Sequence, residues 1–202
     1  MVVKVNLEFT AKDAAEAVKR GDVIVVIDVL RCSSSIINAF ANGTKRIIPV
    51  RTLREAYRLK SEYPDSLLAG ERGGLKPKGF DLGNSPLEFI REKVQGKTLI
   101  FTTTSGTAAL SRCRSAKFVL VGGFLNLSSA ASRAIKTAWR EEKDISIVLS
   151  GRRGHFSLED FLCGGAFAEK LIESAAVLLD SALASLFSFK QMKDSLLDHV
   201  LK

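Results

Sequence analysis

The sequence predicts an α/β protein with three layers, α/β/α, built on a largely parallel or mixed sheet. Apolar runs of strand length alternate with amphipathic segments of helical length along most of the 202-residue chain. This alternation is typical of βαβ units, in which helices cover the faces of parallel strands. Residues 23–30 are almost continuously apolar and β-branched, as expected for a strand covered on both faces. We expect a single domain over residues 1–202, with two lobes around a cleft as one form of this fold.

Each strand is predicted from an apolar run, and each helix from amphipathic spacing with a start or stop signal. Thr52 and Glu55 form a capping box, Gly21 ends the first helix, and Ser85 followed by Pro86 begins a later one. Strands are expected at residues 3–9, 23–30, 46–50, 67–69, 97–103, 117–121 and 145–150. Helices are expected at residues 10–21, 36–41, 52–63, 105–113 and 127–142, and from residues 85 and 157 onward.

The C-terminal residues 175–202 carry Leu and Phe at helical spacing without motifs that suggest chemistry. We expect this segment to serve packing or subunit contact, which would allow a homo-oligomer. His199, within it, is expected to be a solvated helix residue.

The net charge of +8 attracts anions, but it does not by itself separate a nucleic-acid binder from an enzyme with a phosphorylated substrate. Lys and Arg are scattered along amphipathic segments and form no aromatic–basic platform, which argues against nucleic-acid binding. No signal peptide and no apolar segment of about 20 residues is present, so we expect a soluble, cytoplasmic protein without membrane contact. Three widely spaced cysteines, Cys32, Cys113 and Cys163, predict reduced thiols and no disulfide framework.

Ligands of open parallel sheets bind beyond the carboxyl ends of the strands, so the residues after each apolar run are the candidates for function. Asp28 lies near the end of a buried run, where an unpaired carboxylate needs a metal, a basic partner or hydrogen bonds. Arg31 and the hydroxyls of Ser33, Ser34 and Ser35 follow at a helix start, which favours anions. The alternative is that Asp28 forms a structural ion pair and the serines only cap the helix.

A glycine-rich stretch follows the short strand at residues 67–69. Its glycines can turn backbone N–H groups toward a phosphate or sulfonate, and its basic side chains add positive charge. A plain surface loop would not explain an acidic and a basic residue placed directly after a buried strand. The candidate residues here are Glu71, Arg72, Gly73, Gly74, Lys76, Asn84 and Ser85.

Two further strand ends show related patterns. Thr103, Ser105, Gly106 and Thr107 offer hydroxyls and amides at another helix start, a signal that is weak when taken alone. Near residue 157, the capping-box pattern of Ser157 and Asp160 has a structural explanation, which leaves Glu159 and the basic residues 152, 153 and 155 unexplained. Acidic residues beside a basic loop could ligate Mg²⁺.

Several known classes of phosphatase are excluded because the chain lacks the characteristic spacing of their catalytic residues. No cysteine has an arginine six residues later, Asp28 is not part of an Asp-x-Asp pair, and no P-loop is present. A His-rich dinuclear metal site is disfavoured because the chain has only two histidines.

The segments VIDVLRCSSSI (26–36), AGERGGLKPKGFDLGNSPLEF (69–89), TTTSGT (102–107) and SLEDFLCGGA (157–166) together resemble the 2-phosphosulfolactate phosphatase family of coenzyme M biosynthesis. The resemblance covers residues 21–166 and implies Mg²⁺-dependent hydrolysis of 2-phospho-3-sulfolactate on an α/β/α fold. It implies that Asp28, Glu71, Glu159 and Asp160 lie near the metal, and that anions are held by Arg31, Ser33 to Ser35, Arg72, Asn84 and the loop 103–107.

The chain departs from the family pattern at two places. Ser105 stands where the family usually has Asn, and beyond residue 175 we find little similarity and a short C-terminal portion. The sequence leaves open whether Asp28 is the nucleophile or a metal ligand. A non-catalytic anion-binding module and, less favoured, a nucleic-acid binder are the alternatives to a phosphatase acting on a small phosphorylated acid.

Overall fold

A computed structural model describes the backbone of residues 2–200 and the side chains of residues 2–198, so the side chain of His199 lies outside the described part. Within that part, the strands are β1 (Lys4–Glu8), β2 (Val23–Ile27), β3 (Arg46–Pro49), β4 (Leu67–Gly70), β5 (Thr98–Thr102), β6 (Val119–Gly122), β7 (Ile145–Leu149) and β8 (Val177–Leu178). The α-helices are α1 (Ala14–Arg20), α2 (Cys32–Ala41), α3 (Leu53–Glu62), α4 (Arg91–Val94), α5 (Gly106–Arg112), α6 (Leu127–Glu141), α7 (Leu158–Ile172), α8 (Asp180–Met192) and α9 (Leu196–Val200).

The strands form two separate sheets. One has five strands in the order β6-β2-β7-β1-β8, and the other has three in the order β3-β5-β4. Every pairing between these strands is parallel. Because all strands of a parallel sheet end at the same edge, each sheet presents one row of loops to a possible ligand.

Helices cover both faces of both sheets, which confirms the three-layer α/β/α prediction. On the five-stranded sheet, α6 and α7 pack against one face through residues such as Ala134 and Phe167, while α1 and α5 pack against the other through Ala14 and Ala109. The three-stranded sheet lies between α2 and α3. Strand β2 is buried along its whole length, as its apolar sequence predicts.

Three predicted helix boundaries are wrong. Helix α1 begins at Ala14 because the Asp13 carboxylate binds the Thr10 backbone and hydroxyl in a turn before it. Helix α2 begins at Cys32, four residues earlier than expected. The helix expected from Ser85 is only a 3₁₀ turn over Pro86–Glu88, because the Glu88 carboxylate turns back to accept a bond from Gly83 N at 2.8 Å.

The C-terminal segment packs within the chain. Strand β8, which the sequence did not predict, pairs with β1 at the edge of the five-stranded sheet. Helix α8 packs closely on α7, and the Ser185 hydroxyl donates to the Phe161 carbonyl at 2.6 Å. The described part of this segment therefore packs within the chain, and a subunit contact stays a prediction.

The contact between α7 and α8 leaves no room for a side chain at Gly165. A Cβ there would lie 2.2 Å from the Ser185 carbonyl oxygen and 2.6 Å from Phe189 Cβ. Gly165→Ala should therefore lower the free energy of unfolding by about 2 kcal/mol, although alanine favours helix formation. Urea denaturation measures the change, and Ser188→Ala on the same helix pair should alter stability by less than about 0.5 kcal/mol. Equal stability of both variants would contradict this packing.

Between residues 2 and 200, no helix is both long enough and apolar enough to cross a membrane. All three cysteines are free and buried, in agreement with the expected absence of a disulfide framework.

Candidate active site

A cavity of about 330 Å³ opens where the carboxyl ends of strands from both sheets meet. Asp28 follows β2 and Gly151 closely follows β7 in the larger sheet, while Glu71 follows β4 and Thr103 follows β5 in the smaller one. Glu159 and Asp160, in the first turn of α7, complete the acidic lining. The four acidic residues that the sequence analysis singled out thus share one cavity.

Asp28 is almost fully buried at the tip of β2. Its Oδ1 accepts a hydrogen bond from Cys32 N at 3.1 Å, and its backbone N–H donates to the Ser33 hydroxyl at 2.9 Å. Burial, together with the charges of Glu71 and Glu159 and against the hydrogen bond from Cys32 N, raises the pKa of Asp28 from 3.8 to about 6. A carboxylate held in such surroundings favours any ligand that brings positive charge.

Glu71 joins two loops of the smaller sheet. Its Oε1 accepts from Thr104 N at 2.6 Å, and its Oε2 accepts from Thr104 Oγ1 at 3.0 Å and from Gly74 N at 2.7 Å. Because both oxygens are already bonded to the protein, this carboxylate fixes the glycine-rich loop against the threonine loop. Its side chain is only 7% exposed.

Asp160 has a similar role between the loops of the larger sheet. Its Oδ1 accepts from Val29 N at 2.8 Å and its Oδ2 from Gly151 N at 3.2 Å. The capping-box explanation of Asp160 is therefore wrong, since its carboxylate reaches across to the loops after β2 and β7. Burial, and then the charge of Asp28, raise the pKa of Asp160 well above its ordinary value.

Three arginines line the same cavity: Arg31, Arg152 and Arg153. Across the described residues, none of their guanidinium groups takes part in a hydrogen bond or ion pair with the protein, and the Glu159 carboxylate has no such partner either. The cavity thus combines positive and negative side chains that do not neutralise one another. Such a lining suits a ligand that carries anionic groups together with a cation.

Two polar atoms of the lining are buried without a hydrogen-bond partner. They are Asn84 Oδ1 and the Ser157 hydroxyl oxygen, whose residues are 7% and 5% exposed. An unsatisfied buried polar group costs about 1–3 kcal/mol, so its presence at a cavity indicates a ligand or water that pairs with it.

Several residues predicted to bind anions lie outside the lining, and their contacts explain why. The hydroxyls of Ser33, Ser34 and Ser35 bond to the backbone at Asp28, Val29 and Asn84, and so hold α2 in place. Thr107 forms reciprocal bonds with Thr103 around the start of α5. The residues that do not line the cavity are Ser33, Ser34, Ser35, Arg72, Lys76, Ser85, Gly106 and Thr107.

Arg72 shows most clearly why a predicted residue lies outside the lining. Its guanidinium donates to the carbonyl oxygens of Glu71 and Arg51, each at 2.7 Å, and to Thr102 Oγ1. Burial lowers the pKa of this arginine, against the attraction of Glu71. Because these donors are already satisfied by the protein, the structure gives Arg72 a role in fixing the ends of β4 and β5.

Gly106 contributes through its lack of a side chain. A Cβ at this position would lie 2.3 Å from Cys32 Cβ and 2.6 Å from Asp28 Oδ2. The glycine therefore lets the start of α5 approach the Asp28 carboxylate, although it is not part of the cavity lining.

Comparison with known proteins identifies the family. A sequence model of the 2-phosphosulpholactate phosphatase family matches residues 9–202. The chain belongs to this family. The match extends to the C-terminus, so the family resemblance is not confined to residues 21–166, and the expectation of little similarity beyond residue 175 is wrong.

Relatives in the family include three proteins named "Probable 2-phosphosulfolactate phosphatase". The chain is 48% identical to that of Thermotoga petrophila over 147 residues, which are 73% of this chain and 61% of the relative. It is 38% identical to that of Clostridium acetobutylicum over 195 residues, 95% of this chain and 81% of the relative. It is 42% identical to that of Caldicellulosiruptor saccharolyticus over 186 residues, 91% and 77% of the two chains. The match thus spans less than two thirds of the first of these relatives.

Several residues that line the cavity of this family member had no functional role predicted from the sequence. Arg152 and Arg153 stood out only as unexplained positive charge, and Ser157 only as a helix cap. Their placement follows from the way β7 and α7 bring residues 151–157 to the cavity, which no local pattern reveals. The lining residues without a predicted functional role were Leu30, Gly151, Arg152, Arg153 and Ser157.

The donor set of the cavity fits Mg²⁺ with fewer protein ligands than the four carboxylates expected. In the part of the chain that the structure describes, no group of three acidic, histidine or cysteine side chains is arranged to hold a metal ion. Mg²⁺ commonly takes only one or two carboxylates and completes its shell with water and phosphate oxygens. Asp28 and Glu159 suit this role, because Glu71 and Asp160 use both oxygens to bind backbone or hydroxyl donors.

Proposed function

We propose that the chain is a Mg²⁺-dependent phosphatase that hydrolyses 2-phospho-3-sulfolactate to 3-sulfolactate and phosphate. The observation that carries this proposal is a single cavity lined by the buried Asp28 carboxylate and by three guanidiniums that form no ion pair or hydrogen bond with the described residues. The names of the family and of its relatives support the same substrate.

The residues of the cavity would have different roles in phosphoryl transfer. Transfer of a phosphoryl group requires charge neutralisation and in-line positioning more than covalent chemistry. Arg31 adjoins the loop that carries Asp28 and is placed to stabilise negative charge on the phosphoryl oxygens. Glu71 accepts hydrogen bonds from Gly74 N and Thr104 N and so holds the glycine-rich loop and the Thr104 loop together at the edge of the cavity.

Asp28 and Glu159 would hold the Mg²⁺ ion, which when bound neutralises charge on the phosphoryl group. Asp28 has two possible roles, as a metal ligand beside an attacking water or as the nucleophile that forms an acyl phosphate. Acid quench after brief incubation with labelled substrate separates the two roles, because only the second leaves phosphate attached to Asp28.

Phosphate release from a panel of phosphorylated hydroxy acids tests the function. With 2-phospho-3-sulfolactate, release should be fast in the presence of Mg²⁺ and should fall at least about a hundredfold with EDTA, since the metal supplies several kcal/mol of charge stabilisation. Adding Mg²⁺ back should restore it, and para-nitrophenyl phosphate serves as a substrate without further acidic groups. Tight binding of the substrate without phosphate release would instead identify a non-catalytic anion-binding protein.

A further inference from the structure

The loop after β7, residues 151–156, is held in a defined shape at the cavity. Arg152 and His155 exchange two backbone hydrogen bonds of 2.8 and 3.0 Å across its tight turn. Its first residue, Gly151, is bound by Asp160, and Phe156 at its end packs edge-on against Phe161 with ring centroids 5.2 Å apart. Because the backbone is held at both ends, the loop keeps the residues of its tip at the edge of the cavity.

Ser105, which follows β5 of the three-stranded sheet, is hydrogen-bonded to the tip of this loop. Its hydroxyl accepts a hydrogen bond from Arg153 N at 3.2 Å, which links the loop after β5 to the loop after β7. The residue that departs from the usual family pattern is thus the one that holds the arginine loop. This contact gives Ser105 a positioning role that its side chain performs through Arg153.

Residues 152–157, at the tip and the end of this loop, present hydrogen-bond donors that have no partner among the described residues. Arg152 and Arg153 line the cavity with guanidiniums that are free of ion pairs across the described residues, and Ser157 beside them has a buried hydroxyl with no partner. The three residues lie on the segment that runs from β7 into α7, whereas Arg31 lies on the loop after β2. The cavity therefore offers positive charge from two different loops.

Such a division suits a ligand with more than one anionic group, as in 2-phospho-3-sulfolactate with its phosphate, carboxylate and sulfonate. A sulfonate is a permanent anion with three acceptor oxygens, and guanidinium and hydroxyl donors match it well. Because the proposed function places the phosphoryl group near Asp28 and Arg31, the arginines on the segment after β7 remain for the sulfonate.

We propose that Arg152 and Arg153, with the Ser157 hydroxyl, bind the sulfonate of the substrate and thereby select phosphorylated hydroxy acids that carry a second strong acid. The inference rests on the proposed function, in which the phosphoryl group lies near Asp28 and Arg31. Arg152 and Arg153 are then specificity-determining residues, and Ser105 positions them.

Two substrates that differ only in the sulfonate test this assignment. The ratio of kcat/KM for 2-phospho-3-sulfolactate to kcat/KM for 2-phospholactate should fall at least about tenfold in Arg152→Gln and in Arg153→Gln, mainly through KM for the sulfonated substrate. Ser157→Ala should lower the ratio less. Arg133→Gln, which removes the same charge from an exposed position on α6, should leave the ratio unchanged. A wild-type ratio in both loop variants would overturn the proposal.

Calorimetric binding of 3-sulfolactate and lactate separates this inference from the function itself. If the wild-type protein released no phosphate from either substrate, the proposed function would fail, while binding would still report on the sulfonate site. Preferential binding of 3-sulfolactate that both loop variants lose supports the site. Equal affinity for 3-sulfolactate in the wild-type protein and the folded variants would disprove it.

Discussion

Replacing Asp28 with asparagine should lower the kcat for phosphate release from 2-phospho-3-sulfolactate by at least about a thousandfold while the fold survives. Either role of Asp28 leads to this result. As a nucleophile, its carboxylate has no substitute in an amide, and as a metal ligand, its charge supplies half of the carboxylate set that we assign to Mg²⁺. The fold should persist because asparagine has nearly the same shape and can still accept the bond from Cys32 N.

Asp22 provides a matched control at the other end of the same strand. It is a buried carboxylate that pairs with Arg20 at 2.8 Å and accepts from the Ser146 hydroxyl at 2.7 Å, and it does not line the cavity. Asp22→Asn should therefore weaken the fold and leave kcat within about threefold of wild type. Steady-state phosphate release with circular dichroism of each variant measures both effects. A near-normal rate in Asp28→Asn would remove Asp28 from the mechanism.

The strands were predictable from sequence because a strand that is buried on both faces consists almost entirely of apolar residues. Strands β2 and β7 are fully buried, and their apolar runs stand out against the flanking polar segments. The division into two sheets was not predictable, since an apolar run gives no information on which neighbour it pairs with. Strand β8 has only two residues and leaves too short a pattern to detect.

The site was predictable at the level of strand ends but not of single side chains. Asp28 and Glu71 follow β2 and β4 directly, and the geometry of parallel sheets places each of them at the carboxyl edge of its own sheet. Whether a hydroxyl or guanidinium turns to the cavity or to the backbone depends on neighbours that are distant in sequence. Arg72 illustrates this, because its donors are taken by Arg51 and Thr102, 21 and 30 residues away.

Asp160 shows the same limit for a local motif. The spacing from Ser157 fits a capping box, yet the carboxylate bonds to Val29 N, which is 131 residues away in sequence. Tertiary contacts therefore overrode a local signal, and the result was a link between two loops of the active site.

The raised pKa of Asp28 should also make the protein less stable as the pH rises. The variant Asp28→Asn should reveal this loss of stability. A carboxyl group whose pKa is higher in the folded than in the unfolded chain binds its proton more tightly when folded. The folded state is therefore penalised as the pH rises from about 4, and the penalty is complete above the folded pKa of Asp28, which is about 6. A pKa of about 6 in place of the ordinary 3.8 corresponds to a destabilisation of about 3 kcal/mol.

Asparagine at position 28 carries no charge at any pH, so it escapes this penalty. In EDTA, the free energy of unfolding of Asp28→Asn minus that of wild type should rise by about 3 kcal/mol between pH 4 and pH 8. Urea denaturation at several pH values measures the difference, and hydrogen bonds lost to the amide shift it by a constant without changing its slope. A difference that stays flat over this range would mean that Asp28 ionises in the folded protein as readily as in the unfolded chain. Adding Mg²⁺ should stabilise the wild-type protein more than the variant, because the ion neutralises the charge that burial has isolated.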